Sequence, residues 1–317
     1  MGIKIEGTGR YLPTKILTNN DLEKIVETSD EWIDSRTGIK ERRIVSDNET
    51  TSFLAYQSAL QAIKNSGVDK EEIDIVIVAT FTPDYYTPSI ACLVLEQLEV
   101  ERTDVLAFDL NAACSGFVYA LNVAERLLAG KENKKALIIG AEVISNVIDW
   151  KDRNTCVLFG DGSGAVVLSY KKDNLFYQTH GASGDRLALS SKSAIQHQSN
   201  TPTYLKMNGQ AVFKFASQVV QKSIQELLDQ SRFNLEEIDY VVCHQANSRI
   251  IKHAYQSFKA DPKQFYLNIE HYGNTSAASI PIALAEMNEQ KLLKKGNKII
   301  LVGFGAGLAW GAILLEW

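Results

Sequence analysis

The chain has no surplus of positive charge, no cysteine pair at CxxC spacing and no apolar run of about 18 residues, and each absence removes a class of function. With a formal net charge of −5, it has no basic excess of the kind that holds a phosphate backbone, so no nucleic-acid partner is expected. The four cysteines, Cys92, Cys114, Cys156 and Cys243, are scattered. They lack the density of a disulfide-stapled secreted domain and the ligand spacing of a zinc site, so reduced thiols and no metal are expected. The missing long apolar stretch argues against a membrane span. The opening MGIKIEGTGRYLP has no charged-then-apolar signal pattern, and Glu6 stands where a myristoylation signal needs serine or threonine. The cytoplasm is the expected compartment.

What is present suits a compact soluble protein. At 317 residues and 45% hydrophobic content the chain can bury a large core, with about two domains expected from its length. The 22% charged fraction is ordinary and argues against disorder. Short β-branched runs alternate with amphipathic stretches, which predicts an α/β architecture with buried strands. Strands are expected at 72–81, 105–110, 135–143, 156–170, 239–244 and 298–304, and in the closing LAWGAILLEW. Helices are expected at 53–66, 115–129, 210–230 and 276–293.

The chain also echoes itself. SALQAIKNSGVDKEEIDIVIVA (58–79) and SIQELLDQSRFNLEEIDYVVCH (223–244) both read helix, short turn, EEID, strand, and Ile238 lies 165 residues after Ile73. Each unit is followed by a small-residue loop and another helix. Two ordinary helix–strand units would look similar, but the matching order on both sides favours a duplication. The expected halves are residues 1–171 and 172–317, with equivalent loops converging on one cleft.

Three segments place one reactive side chain each among small residues: NAACSGF around Cys114, VVCHQAN around His244 and HYGNTSAAS around Asn274. A thiol that carries an acyl group needs a partner for its proton and donors for an oxyanion or enolate, roles these side chains can fill. Cys114 is expected at the entrance of helix 115–129, where the dipole would lower the thiol pKa. Each residue also has a plainer reading. Cys114 can be a structural core thiol, His244 a satisfied core histidine, and Asn274 a helix cap. In GFGAGLAWG the helix and downstream acid of a dinucleotide loop are missing, so the glycines are expected to let a turn approach the site and offer N–H groups. GDGSG (160–164) is expected to be a hairpin turn between two strands.

Taken with TSDEWIDSRTGIKERR (28–43), DWKDRNTCVLFGDGSGAV, LKMNGQAVFKFA, YGNTSAASIPIAL and VGFGAGLAWG, in order and over the whole length, these segments resemble the β-ketoacyl-acyl-carrier-protein synthase III family. The resemblance implies a thiolase-like five-layered αβαβα fold built from two duplicated halves, and a homodimer. It implies that Cys114 takes an acyl group from acyl-CoA, and that malonyl-acyl-carrier protein then loses carbon dioxide and attacks the thioester. His244 and Asn274 would stabilise the enolate. The N–H groups of Cys114 and of the turn at Ala306 and Gly307 would hold the thioester oxyanion. It implies no metal or redox cofactor. CoA would lie between Trp32 and Arg153, with Thr28, Arg36, Asn247 and Arg249 along its approach, and the acyl pocket would use Thr87, Phe159, Leu189 and Leu205.

A helix start at Thr28–Glu31 would carry Trp32, and Arg249, Lys252 and Lys259 would form a basic stripe for the acidic carrier or a merely solvated face. The chain departs from the family pattern in several places. Ala306 replaces a common glycine, Ala309 a threonine, Gln256 and Ser257 positions that are basic in some relatives, and Thr87 a larger apolar residue that closes the pocket across the dimer. A roomier pocket is therefore expected. The polar stretch 190–203 is expected either to cover that pocket or to wander over the surface. A plant-type polyketide synthase, an acyltransferase without condensation, a cysteine hydrolase and a binding module are the competing readings.

Overall fold

The computed structural model describes residues 2–192 and 203–317. Its strands are β1 (Gly2–Tyr11), β2 (Lys15–Thr18), β3 (Glu41–Ile44), β4 (Ile73–Ala79), β5 (Leu106–Leu110), β6 (Lys135–Glu142), β7 (Gly162–Lys171), β8 (Phe176–Ala182), β9 (Leu189–Ser190), β10 (Lys206–Met207), β11 (Tyr240–Cys243), β12 (Lys298–Gly305) and β13 (Ala309–Glu316). One sheet runs β1-β7-β6-β4-β5 and the other β11-β12-β13-β8. In the first, β4 pairs parallel with β5 and β6. In the second, β11 pairs parallel with β12, and β13 returns antiparallel between β12 and β8.

Hydrophobic patterning explains the layers. The strands of β4 and β6 are almost wholly apolar because both sheet faces are covered. Helices Gly116–Leu128 and Ser279–Glu289 lie between the sheets, and Phe117, Leu121, Ile280 and Leu284 join Ile77, Ile138, Leu301 and Ile313 in one core. Helix Thr51–Ser66 and helix Ile90–Gln97 cover the far side of the first sheet through Ala59, Ala62, Ile90 and Val94. Helices Gly209–Ser231 and Ser248–Ser257 do the same for the second through Val220, Ile224, Ile250 and Ile251. The result is helix, sheet, helix, sheet, helix.

The echo between the EEID segments is structural. Each segment is a 3-10 turn with its own reciprocal cap, Asp69 with Glu72 and Asn234 with Glu237, leading into a parallel strand.

Several expectations need correction. The strand expected from residue 156 begins at Gly162, because Arg153–Cys156 forms a helical turn capped by Asp152. GDGSG is therefore not a hairpin. Asp161 is instead a buried anchor that accepts from Ser145 N (2.9 Å), Ser145 Oγ (2.6 Å) and Val45 N (2.9 Å). The helix expected over 276–293 is a 3-10 turn at Ser276–Ala278 followed by helix Ser279–Glu289. Helix Asp30–Thr37 is capped by Ser29, whose Oγ accepts from Trp32 N at 3.1 Å, and not by Thr28. Lys259 lies past the end of helix Ser248–Ser257 at φ +52, so Arg249 and Lys252 alone share that helix. Residues 193–202 of the polar stretch lie outside the described residues.

Candidate active site

Cys114 sits in a 3-10 turn, Ala113–Ser115, that feeds helix Gly116–Leu128. Ala113 takes a left-handed φ of +46, and its N–H donates to Asn111 Oδ1 at 3.2 Å. Ser115 Oγ fastens the turn to the second sheet by donating to Ala309 O at 2.9 Å. Gly305, at the end of β12, is where the C-terminal glycines matter. A Cβ there would lie 2.8 Å from Cys114 Cβ and 3.0 Å from its Sγ, so only glycine lets the sheet and the sulfur come this close.

His244 follows β11 directly, and its N–H donates to Val302 O at 2.7 Å. Its ring packs edge-on against Phe304, with centroids 5.2 Å apart. Nδ1 lies 2.7 Å from Ser279 Oγ, which also accepts from Gln245 N at 3.3 Å. When the Ser279 hydroxyl gives its hydrogen to Nδ1, the neutral ring carries its own proton on Nε2 and can donate from there. Burial pushes the imidazole pKa down to about 3, so the ring is neutral across the working range. Cys243, on the opposite face of the strand, is buried in the outer core and takes no part.

Asn274 is held at both ends. Its backbone N–H donates to Leu158 O (2.8 Å), its carbonyl accepts from Gly160 N (3.0 Å), and its Oδ1 accepts from Ser276 N (2.9 Å). That last bond turns the Nδ2 hydrogens toward the cavity. Asn274 is therefore not a conventional cap of the helix that follows, since Oδ1 caps the 3-10 turn instead.

Cys114, His244 and Asn274 all line one cavity of about 500 Å3, together with Trp32, Arg36, Asn247 and Arg249. A second cavity, of about 520 Å3, opens from the other side of Cys114. Phe81, Phe159, Leu189 and Leu205 line it, as do the turn residues Ala306 and Gly307. Ala306 stays out of the positive-φ region, so its N–H remains a competent donor. Thr87 is exposed and lies outside this cavity of its own chain. Arg153 stacks on Trp32 with its Cζ 4.9 Å from the ring centroid, and Arg36 covers the ring at 5.6 Å. Thr28 is not part of the cavity lining, and its Oγ1 is buried without a partner. Asn247 caps helix Ser248–Ser257 through Arg249 N (2.9 Å) and donates to Arg36 O (3.0 Å), tying the two sides of the approach together.

One electrostatic expectation fails. The thiol of Cys114 is not lowered by its turn: burial pushes its pKa up to about 12, with the Ser276 hydroxyl pulling it down and the Glu142 carboxyl adding to the rise. Desolvation of a buried sulfur outweighs the few N–H dipoles of a short turn. Sequence reasoning also missed Ser276, Ser279 and Glu142. The signal was there for Ser276, since NAACSG and NTSAAS are the same turn in the two halves, with Asn274 lying 163 residues after Asn111.

A buried thiol that borders two cavities and shares one of them with a neutral imidazole and a carboxamide has the groups needed to hold a thioester and to stabilise negative charge beside it. Comparison with known proteins agrees. Family models for 3-oxoacyl-[acyl-carrier-protein] synthase III match residues 108–184, and its C-terminal part matches residues 228–317. The chain is 48% identical to β-ketoacyl-[acyl-carrier-protein] synthase III of Clostridium acetobutylicum, over 99% of this chain and 98% of that one. It is 45% identical to the Clostridium tetani protein of the same name, with the same coverages. The crystal structure of 3-oxoacyl-[acyl-carrier-protein] synthase III from Aquifex aeolicus superposes with a TM-score of 0.93 at 44% identity, covering 100% of both chains. The priming β-ketosynthase of the R1128 polyketide pathway also superposes with a TM-score of 0.93, at 30% identity over 99% of this chain and 96% of that one. With its five layers, its facing turns and this likeness along its whole length, the chain belongs to the β-ketoacyl-acyl-carrier-protein synthase III family of thiolase-fold condensing enzymes.

Proposed function

We propose that this acyltransferase joins an acyl-CoA primer to malonyl-acyl-carrier protein in two half-reactions at Cys114, and so begins fatty-acid synthesis. In the first, Cys114 Sγ attacks the acyl-CoA carbonyl and CoA leaves. In the second, the malonyl carboxylate departs as carbon dioxide and the resulting enolate attacks the Cys114 thioester. The observation that carries this reading is that one sulfur borders two cavities, one reaching Phe81 and Leu205 and one ending at His244 and Asn274. An acyl chain fits the first while a pantetheine arm reaches down the second. His244 Nε2–H and Asn274 Nδ2 would hydrogen-bond the malonyl thioester oxygen, and the N–H groups of Cys114 and of the turn at Ala306 and Gly307 would hold the oxyanion of each tetrahedral intermediate. This chemistry is acyl transfer and decarboxylation, and the cycle asks for no metal or redox cofactor.

In this reading Trp32 and Arg153 part to admit the adenine ring between two flat faces, while Arg36, Asn247 and Arg249 line the path of the arm. Thr28 keeps a place at the outer rim only. Arg249 and Lys252 offer the cations for an acidic carrier protein. The catalytic labour divides at about residue 171, with residues 1–171 giving the nucleophile and 172–317 the enolate donors. A homodimer is supported by β5, an edge strand that leaves Leu106 48% exposed, and by Tyr85, 58% exposed in the segment before Thr87. There, Thr87 would reach the partner's acyl pocket. The cytoplasm suits a reaction that needs a free thiol, and all four cysteines are unpaired. Among the described residues no helix is long and apolar enough to cross a membrane.

The test is condensation with a panel of acyl-CoA primers, read alongside the mass of the intact protein. An acyl adduct on Cys114 and one β-ketoacyl product per primer are expected. Longer and branched primers should react within about tenfold of acetyl-CoA, the scale on which pockets discriminate single methylenes. A sharp preference for acetyl would refute the roomy pocket, and repeated extension on CoA would favour a polyketide synthase.

Ser279 gives a second expectation. Ser279→Ala removes the hydroxyl that holds the His244 ring through Nδ1, and leaves Nδ1 and Gln245 N without that partner. The lost bond is worth about 1–3 kcal/mol, so condensation should slow roughly tenfold or more while acylation of Cys114 is unchanged. Because His244 stays neutral, the condensation rate should show no histidine titration near its ordinary pKa of 6.5. Equal rates in Ser279→Ala and wild type would remove the serine from the mechanism.

A further inference from the structure

Cys114 must lose a proton before its sulfur attacks, and the residues so far assigned supply no acceptor. His244 is neutral, its Nδ1 engaged by Ser279 at 2.7 Å. Asn274 is no base. On the other side of the thiol, however, a carboxyl group is enclosed. Glu142 ends β6 and is 0% exposed. Its Oε2 accepts from Thr82 Oγ1 (2.7 Å), Thr80 Oγ1 (3.2 Å) and Phe81 N (3.2 Å). Its Oε1 is buried without a hydrogen-bond partner, and the same is true of Ser276 Oγ.

Ser276 belongs to the turn Ser276–Ala278, which packs against both β6 and the Cys114 turn, and its hydroxyl bears electrostatically on the Cys114 thiol and the Glu142 carboxyl. It is held there at a left-handed φ of +49, with its N–H on Asn274 Oδ1. A buried polar atom without a good partner costs about 1–3 kcal/mol. A non-glycine residue at positive φ adds a further cost, and such strain clusters at functional sites. Two unpartnered buried oxygens on segments packed about a buried thiol offer a route for its proton.

We propose that Glu142, acting through the hydroxyl of Ser276, is the proton acceptor that activates Cys114 for acylation. This rests on Cys114 being the nucleophile. In the step, the Cys114 thiol gives its proton to Ser276 Oγ while Ser276 passes its own proton to Glu142 Oε1. The sulfur lone pair forms the bond to the thioester carbonyl carbon. As the tetrahedral intermediate collapses, the carbon–sulfur bond to CoA breaks, and the proton returns from Glu142 through Ser276 to the CoA sulfur. Glu142 ends as it began, and no other reactant is needed.

The electrostatics fit. Burial raises the Glu142 pKa to about 8, against the pull of Thr82, Phe81 N–H, Ser276 and Thr80, which face it from the segment after β4 and from the Ser276–Ala278 turn. The Cys114 thiol faces it across Ser276. A carboxylate tuned upward is basic enough to accept a proton near neutral pH, and acylation should rise as the pH climbs through about 8 and Glu142 ionises.

The test mixes the full-length enzyme with acetyl-CoA and follows free CoA and the mass of the Cys114 peptide across that pH range. Wild type, Glu142→Gln and Ser276→Ala are compared, with iodoacetamide alkylation of Cys114 as a second readout. Both variants should acylate roughly 10²-fold more slowly at neutral pH and lose the rise near pH 8. If Glu142→Gln fails to fold, Ser276→Ala decides alone, because it removes a single hydroxyl. Wild-type rates in the folded variants would overturn the relay, as would slower rates that keep the wild-type pH profile. Failure of wild type to acquire an acyl group on Cys114 would instead overturn the nucleophile assignment.

Discussion

Cys114→Ala is expected to abolish both acylation and product formation, by roughly 10³-fold or more, because no other sulfur can take its place. Cys156 lies buried in a helical turn, Cys243 in the outer core of the second sheet, and Cys92 on the surface. The loss should be confined to steps that use the sulfur. His244 keeps its bond to Ser279 and Asn274 its bond to Ser276 N, and neither bond involves Cys114. Alanine adds no bulk beside Gly305, so the variant should fold and still release carbon dioxide from malonyl-carrier protein. Intact-protein mass after exposure to acetyl-CoA, together with carbon dioxide release, separates the two halves of the cycle. An acyl adduct on the alanine variant would show that the nucleophile is another residue.

Much of this was legible in the sequence because the features that matter are periodic or local. The apolar runs of β4, β6 and β12 announce strands covered on both faces, and the paired EEID turns announce two similar halves. Cys114, His244 and Asn274 could be singled out because small neighbours leave room around each, and the fold brings all three to one cavity. Boundaries were lost where a polar residue performs a structural task at long range. Asp161 looks like a hairpin aspartate in sequence, yet it anchors segments more than 100 residues apart in the chain, accepting from Val45 N across 116 positions.

The pKa of Cys114 was misjudged for a similar reason. The helix that follows it is visible in the sequence, but the degree of enclosure depends on Gly305 and on the packing of both sheets. Glu142 and Ser276 were invisible as a pair because only the fold brings the end of β6 against the turn before helix Ser279–Glu289. Gly140 permits that approach, since a Cβ there would lie 2.4 Å from Ala277 O.

His244→Ala and Asn274→Ala should acylate Cys114 at close to the wild-type rate yet condense about 10²- to 10³-fold more slowly, the usual cost of removing one oxyanion donor. The two substitutions do not disturb the same things. His244→Ala leaves the Ser279 hydroxyl and the edge of Phe304 without their partner, whereas Asn274→Ala also strips the acceptor from Ser276 N and so loosens the turn beside Cys114. A small fall in acylation is therefore expected for Asn274→Ala but not for His244→Ala. Asn274→Asp separates the two duties of the asparagine. A carboxylate still accepts from Ser276 N, so the turn and the acylation rate should be restored, but it offers no hydrogen to the enolate oxygen and repels its charge. Condensation by Asn274→Asp should consequently be no faster than by Asn274→Ala. Single-turnover measurement of CoA release, followed by addition of malonyl-carrier protein to the isolated acyl-enzyme, reads each step alone. Recovery of condensation in Asn274→Asp would mean that the residue serves only to brace its turn, and the donation of a hydrogen bond to the enolate would have to be assigned elsewhere.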